Sequence, residues 1–221
     1  MRIVMTALLL SGFIHASEKE TAARVEKSAV VFSEIMSAPD KGIPRDLVEK
    51  AHCIVIVPDL KKGAFIVGAK YGKGVMSCRM ADGRWSAPGN VRVEGGSVGF
   101  QIGGSETDVV MLVMNERGAS KLIGDQFTLG GEGEVAAGPV GRTAAAQTDA
   151  KMTAEILSWS RTHGVFAGLS LQGATLRQDE KDNEELYGKA VSNREIVKGT
   201  VKAPVAASRL LAELNRYSVK P

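Results

Sequence analysis

Apolar positions along the chain change period once, early on. Val25, Ala29, Phe32 and Met36 recur at helical spacing, which predicts an amphipathic helix over residues 17–36, opened by Ser17 and Glu20 in a capping-box pattern. Pro39 and Gly42 break it, and Pro44 suits the first turn of a short second helix running to Lys50. β-branched runs then dominate. Residues 52–57 predict a strand ended by Pro58, followed by strands over 64–71 and 73–80. Asp82-Gly83 suits a tight hairpin turn into Trp85, so antiparallel pairing is expected. Strands over 91–93, 97–102 and 108–114 follow, punctuated by Gly95-Gly96 and Gly103-Gly104. Asn115 is a good N-cap for a helix to about Ile123, with Gly124 at its end. Weaker strand patterns cover 127–129, 134–137, 154–159 and 165–171, and residues 178–185 read as a charged loop. Pro204 opens a last helix whose Ala207, Leu211, Leu214 and Tyr217 share a face, expected to dock on the sheet.

The first residues read differently. Arg2, an apolar stretch from Ile3 to Ile14 and the small Ala16 spell an export signal, too short to span a bilayer. The expected organisation is a signal peptide at 1–16, an N-terminal helix and turn at 17–42 and a domain at 43–221, with 17–221 forming one globular unit. With no cysteine near the cleavage site to carry a lipid anchor, a periplasmic or secreted protein in peripheral contact with membrane is expected.

A formal net charge of +3 is too near neutral for a dedicated nucleic-acid binder, so charge has to be read locally. Lys61, Lys62, Lys70, Lys73, Arg79 and Arg84 fall on successive strands and turns, where some of them can converge on one sheet edge. Each basic residue at an anionic membrane surface contributes about 1 kcal/mol, so three or four together give salt-sensitive binding; scattered solvated side chains are the alternative. The polar face of the first helix mixes Glu18, Glu20, Glu26 and Glu34 with Lys19, Arg24 and Lys27, which favours core docking over membrane insertion. Cys53 and Cys78 lie in separate strand-like runs and bridge if those strands pair in an oxidising compartment; otherwise they pack as buried thiols.

Catalytic motifs find little support. Gly95-Gly96-Ser97-Val98-Gly99 matches the G-x-S-x-G nucleophile turn, with His163 and Asp125 or Asp149 in the right chain order, but the residues after Ser97 read as strand instead of the helix such a turn requires. From Gly63 to Gly68 a phosphate loop is nearly spelled, yet Ala69 occupies the lysine position. His52 and His163 form no two-ligand spacing with Cys53 or Cys78, so no metal and no cofactor is expected.

The ordered blocks LVEKAHCIVIVPDLKKGAFIVGAKYGKGVMSCR, WSAPGNVRVEGGSVGFQIGGSETDVVMLVMNERGASKLI, FTLGGEGEVAAGPVGR, WSRTHGVFAGLSLQGATL and LYG, over roughly residues 43 to 188, resemble the SYLF domain, also described as a fungal actin-regulator domain, here in an exported bacterial form. The resemblance implies an α+β protein, a mainly antiparallel, glycine-rich twisted sheet or partly closed barrel with flanking helices at both termini. It implies no enzymatic activity, binding of phosphoinositide or other anionic lipid head groups, and in some members binding of actin. The family's basic blocks map onto Lys61, Lys62, Lys70, Lys73 and Arg79. Gly63-Ala64-Phe65 departs from the family's Ala-Gly-Phe, and Leu186 stands where a phenylalanine is usual. The expected function is therefore non-catalytic binding of an anionic phospholipid surface through these residues and Arg84, with a protein-interaction module, actin-directed or structural within the envelope, as the alternative and a hydrolase using Ser97 as a third.

Overall fold

The computed structural model of the protein describes residues 4–39, 42–64, 67–98, 103–124, 126–131, 135–138, 154–162, 165–166 and 171–218. Helix α1 spans Val4–Ser37. It thus runs straight through Ser17, so no helix begins there. Val25, Ala29 and Phe32 are buried as their spacing predicts, and Met36 packs at the margin of the same cluster. Helix α2, Arg45–Lys50, starts after Pro44.

Strands β1, Cys53–Ala64, and β2, Val67–Cys78, pair antiparallel and are each longer than the sequence pattern predicts. Strand β1 does not stop at Pro58, because Pro58 and Asp59 sit in a bulge between Val57 and Leu60 where the register shifts. A proline costs no ladder hydrogen bond at a bulge. Likewise β2 passes through Gly72 and Gly74 where two strands were expected. A Cβ on Gly74 would stand 2.1 Å from the Ile56 carbonyl oxygen, and one on Gly72 would stand 2.7 Å from Leu60 Cδ1. These glycines let the bulged strand lie against β2.

Strand β3, Gly89–Val98, is continuous through Gly95-Gly96, where a division was expected, and β4, Gly103–Val113, begins at Gly103-Gly104; residues 99–102 of the strand expected over 97–102 lie outside the described residues. Helix α3, Glu116–Leu122, is capped as predicted, Asn115 Oδ1 accepting from the Gly118 N–H at 2.8 Å. Strands β5, Gln126–Thr128, β6, Val135–Ala137, β7, Ile156–Thr162, β8, Val165–Phe166, and β9, Thr175–Gln178, complete the order β5-β9-β3-β2-β1-β4-β7-β6, with β8 paired to β7. The sheet curls into a half-barrel, so the fold is α+β.

The segment expected as a charged loop is instead helix α4, Glu180–Tyr187, capped by Asp179 and closed by Gly188 in the left-handed region. It escapes an apolar pattern because its inward side is polar. Asn183 Oδ1 accepts the Asn90 N–H at 2.7 Å, and its Nδ2 donates to Asn193 Oδ1 at 2.7 Å. Helix α5, Asn193–Val197, opens on a complete Ser192 and Glu195 capping box. After a turn of 3-10 helix at Val205–Ala207 comes α6, Ser208–Ser218. It packs against α1 and α2, with Tyr217 edge-on to Phe32 at 5.8 Å, in the same buried layer as Ile54 and Ile56 of the sheet. Full burial of a side chain such as Phe32 contributes about 2 to 3 kcal/mol.

Two apolar layers result. The helices cover Ile54, Ile56, Val75, Val110 and Leu112 on the outer face of the sheet, while Val55, Val57, Leu60, Met76, Val93 and Met111 fill the inner, concave face. Cys53 and Cys78 are Cα partners across β1 and β2 and form a disulfide within the inner layer. One buried ionic cluster joins the C-terminal half to the rest. Asp182 accepts from Arg24 of α1 and from Lys73 Nζ of β2 at 2.8 Å, and Lys73 lies 3.1 Å from Asp179. Desolvation lowers the Lys73 pKa, but hydrogen bonds to Asp182 and Asp179 outweigh it and hold the ammonium above its ordinary 10.5. Its contribution to stability is therefore complete below that value and is lost as pH rises through the higher folded one.

Three outcomes follow from this packing. Gly74→Ala lowers stability by at least about 2 kcal/mol, whereas Gly63→Ala, whose added Cβ meets nothing within 4 Å, leaves the urea midpoint nearly unchanged. Thiol titration of the denatured, unreduced protein finds no free thiol, and reduction costs about 3 kcal/mol for a bridge spanning 25 residues. Lys73→Met costs about 2 to 3 kcal/mol at neutral pH, since two carboxylates stay buried. Urea unfolding at neutral pH reads that deficit.

Candidate functional site

The six basic residues singled out from the sequence do not share a face. Side chains alternate along a strand, so cross-strand partners lie on the same side. Lys61 pairs with Tyr71, and both lie on the outer face with Lys73 two residues further on. Lys62 pairs with Lys70 on the inner face. Burial lowers the Lys70 pKa, and the neighbouring Lys62 charge lowers it further. None of these positions is at a sheet edge, because β1 and β2 are the central strands.

Arg79 has a structural setting. Its guanidinium stacks over Trp85 at 4.4 Å and donates to the Val48 and Glu49 carbonyls at the C-terminal end of α2. Burial lowers its pKa, offset in part by Glu49. Arg84 sits on the exposed turn beyond β2, bonded to Asp82, which raises the Arg84 pKa and lowers that of the carboxyl. Ser97 stands in β3 opposite Gly68, in a strand and not at a strand-to-helix elbow, while His163, Asp125 and Asp149 lie outside the described residues. Among the described residues no group of three His, Cys, Asp or Glu side chains is placed to hold a metal ion, and no helix is long and apolar enough to cross a membrane.

Lys61 and Lys73 meet two residues the sequence had assigned only to a helix face. The bulge at Pro58 and Asp59 lifts β1 beneath α1 and leaves a cleft of about 350 Å³. It is lined by Arg24 and Lys27 of α1, Lys61 of β1, Tyr71 and Lys73 of β2, and the acidic Glu20 and Asp59. Arg24 and Lys27 are three apart and so project from neighbouring positions on the helix. That spacing was the available signal, and its mixture with glutamates hid it. The cations differ in how firmly they are held. Arg24 and Lys73 are pinned by Asp182 and Asp179, which are only 4% and 3% exposed. Lys27 is bound to Asp59, and Lys61 reaches Glu106 at 3.8 Å, both in solvent-exposed pairs. The hydrogen bond to Asp59 raises the Lys27 pKa against the effect of burial. Exposed pairs of this kind contribute about 0 to 1 kcal/mol, so a partner can exchange them at little cost. Between them Tyr71 is 46% exposed, one of two large apolar side chains standing out among the described residues.

Comparison with known proteins adds to this geometry. The family model described as "Ysc84: Las17-binding protein actin regulator" matches residues 94–217, from β3 to the end of α6. The chain is 33% identical over 207 residues to SH3 domain-containing YSC84-like protein 1 of Rattus norvegicus, covering 92% of this chain and 60% of that protein. It is 34% identical over 200 residues to Protein YSC84 of Saccharomyces cerevisiae, covering 88% and 42%. With LAS seventeen-binding protein 3 of the same species it shares 33% over 211 residues, covering 93% and 45%. The chain thus spans about 40 to 60% of the length of these relatives. With more than half of its own length matched by the family model, the chain belongs to the Ysc84 family, the SYLF domain family that its glycine-punctuated blocks resemble.

Proposed function

We propose that this protein is a non-catalytic interaction module that docks on a protein partner through the outer face of β1 and β2 beneath α1. Membership of a family described by Las17 binding and actin regulation supports the class of function. The observation that carries the location is Tyr71, an exposed aromatic ringed by ion pairs that a partner can replace. An aromatic anchor surrounded by exchangeable polar groups is the usual anatomy of a binding hot spot. No step of this reading needs a nucleophile or a metal.

The cleft favours a second reading, binding to an anionic lipid surface, because Arg24, Lys27, Lys61 and Lys73 converge there. Such a surface suits an exported protein, and the Cys53 to Cys78 bridge supports an oxidising compartment of that kind. Lys62 and Lys70, on the inner face, then lie apart from the contact.

Parallel sedimentation separates the two readings. Binding to a Las17 fragment or to actin filaments that Tyr71→Ala weakens at least about tenfold, with little response to salt, is the expected outcome; absence of binding to both overturns it. Binding to anionic but not neutral vesicles, reduced by salt and by Lys61→Glu, establishes the lipid reading in its place.

A further inference from the structure

Asp59 has φ 48°, the one non-glycine residue with positive φ among the described residues. A left-handed backbone at a residue other than glycine costs free energy and persists where the surroundings enforce it. Here the β1 bulge does so. The Asp59 N–H donates to Asp108 Oδ1 at 3.2 Å, and the turn aims the carboxylate at Lys27 across the cleft. The carboxylate therefore occupies the place a ligand anion would take against Lys27, in a cleft that Lys61 and Lys73 also line.

We propose that Asp59 is a built-in competitor in a phosphate-binding cleft, so that a phosphomonoester binds by displacing the Asp59 carboxylate from Lys27. The proposal rests on the anionic-surface reading above and names its site, ligand class and regulation. Arg24 and Lys73 cannot leave, because their buried partners hold them, and they form a fixed cationic wall. Lys27 and Lys61 are the movable contacts, each now satisfied by an exposed carboxylate. Glu20 remains at the rim on Arg24, 79% exposed and 3.5 Å from the guanidinium. With Asp59, Glu106, Asp179 and Asp182 all present and Glu20 at the rim, five carboxylates face the four cations, and the resting cleft attracts anions weakly. A phosphate dianion brings more charge and more acceptor oxygens than the carboxylate it replaces. Any change that draws Asp59 away, or removes its charge, switches the site on.

The test uses Asp59→Asn, which keeps a residue tolerant of positive φ, and Asp59→Gly, which relieves the backbone altogether. Binding is measured to phosphatidylcholine vesicles with and without phosphatidic acid, and to free glycerol 3-phosphate, with thermal melting to confirm folding. Both variants are expected to bind the phosphomonoester about tenfold more tightly than the wild type, and adding Lys27→Ala is expected to remove the gain. A gain on vesicles alone assigns the ligand to a lipid head group; an equal gain on glycerol 3-phosphate assigns it to a soluble phosphate. If folded Asp59 variants and the wild type bind phosphatidic acid vesicles equally, the competitor is overturned while the anionic-surface reading stands. If none binds any phosphate probe, both fall.

Discussion

A one-residue register shift at Pro58 and Asp59 decides which way the far half of β1 faces. Val57 and Leu60 both point into the inner layer, although an unbroken strand would put them on opposite sides. The bulge thus resets the alternation and sends Lys61 outward and Lys62 inward. It also forces β1 close to β2, which only glycine at 72 and 74 accommodates. The same kink opens the cleft under α1 and puts Asp59 in its strained conformation. Sheet continuity, the sorting of charges and the shape of the candidate site therefore depend on a single irregularity.

The second organising element is the buried cluster of Arg24, Lys73, Asp179 and Asp182. Burying charges is costly unless each is matched, and here two cations face two carboxylates. The cluster locks α4 onto the sheet and α1, and the neighbouring amides of Asn90, Asn183 and Asn193 extend the polar contact to α5. Its value lies in orientation. The same bonds that join the C-terminal half to the sheet immobilise the cationic wall of the cleft, so one set of contacts serves architecture and recognition together.

Membership of the Ysc84 family and the exposed Tyr71 rim both speak for recognition over chemistry. The polar groups of the outer face are arranged as exchangeable pairs around an aromatic, and Ser97 sits in regular strand. Arg79, prominent as a basic residue in the sequence, is spent on capping α2 and stacking on Trp85. A basic side chain in a strand is thus no guide to function until its partners are known.

Much of the architecture was legible in the sequence: the buried stripe of α1, the α2 start at Pro44, the Asn115 cap and the antiparallel hairpins follow from local periodicity and capping chemistry, and the α+β class from the family resemblance. Local rules misplaced the strand ends at Pro58, Gly72 and Gly95, because a bulge or a close approach between strands is a property of two chains side by side. They also read α4 as a loop, since its buried face is polar and is satisfied only by partners about 90 residues away. The cationic residues themselves were visible. Their division between two faces was not, because alternation along β1 depends on an offset that only pairing with β2 and β4 reveals. The sequence by itself determined which elements form and which charges exist; the tertiary structure alone decided which of those charges meet, because convergence is set by register and packing across distant segments.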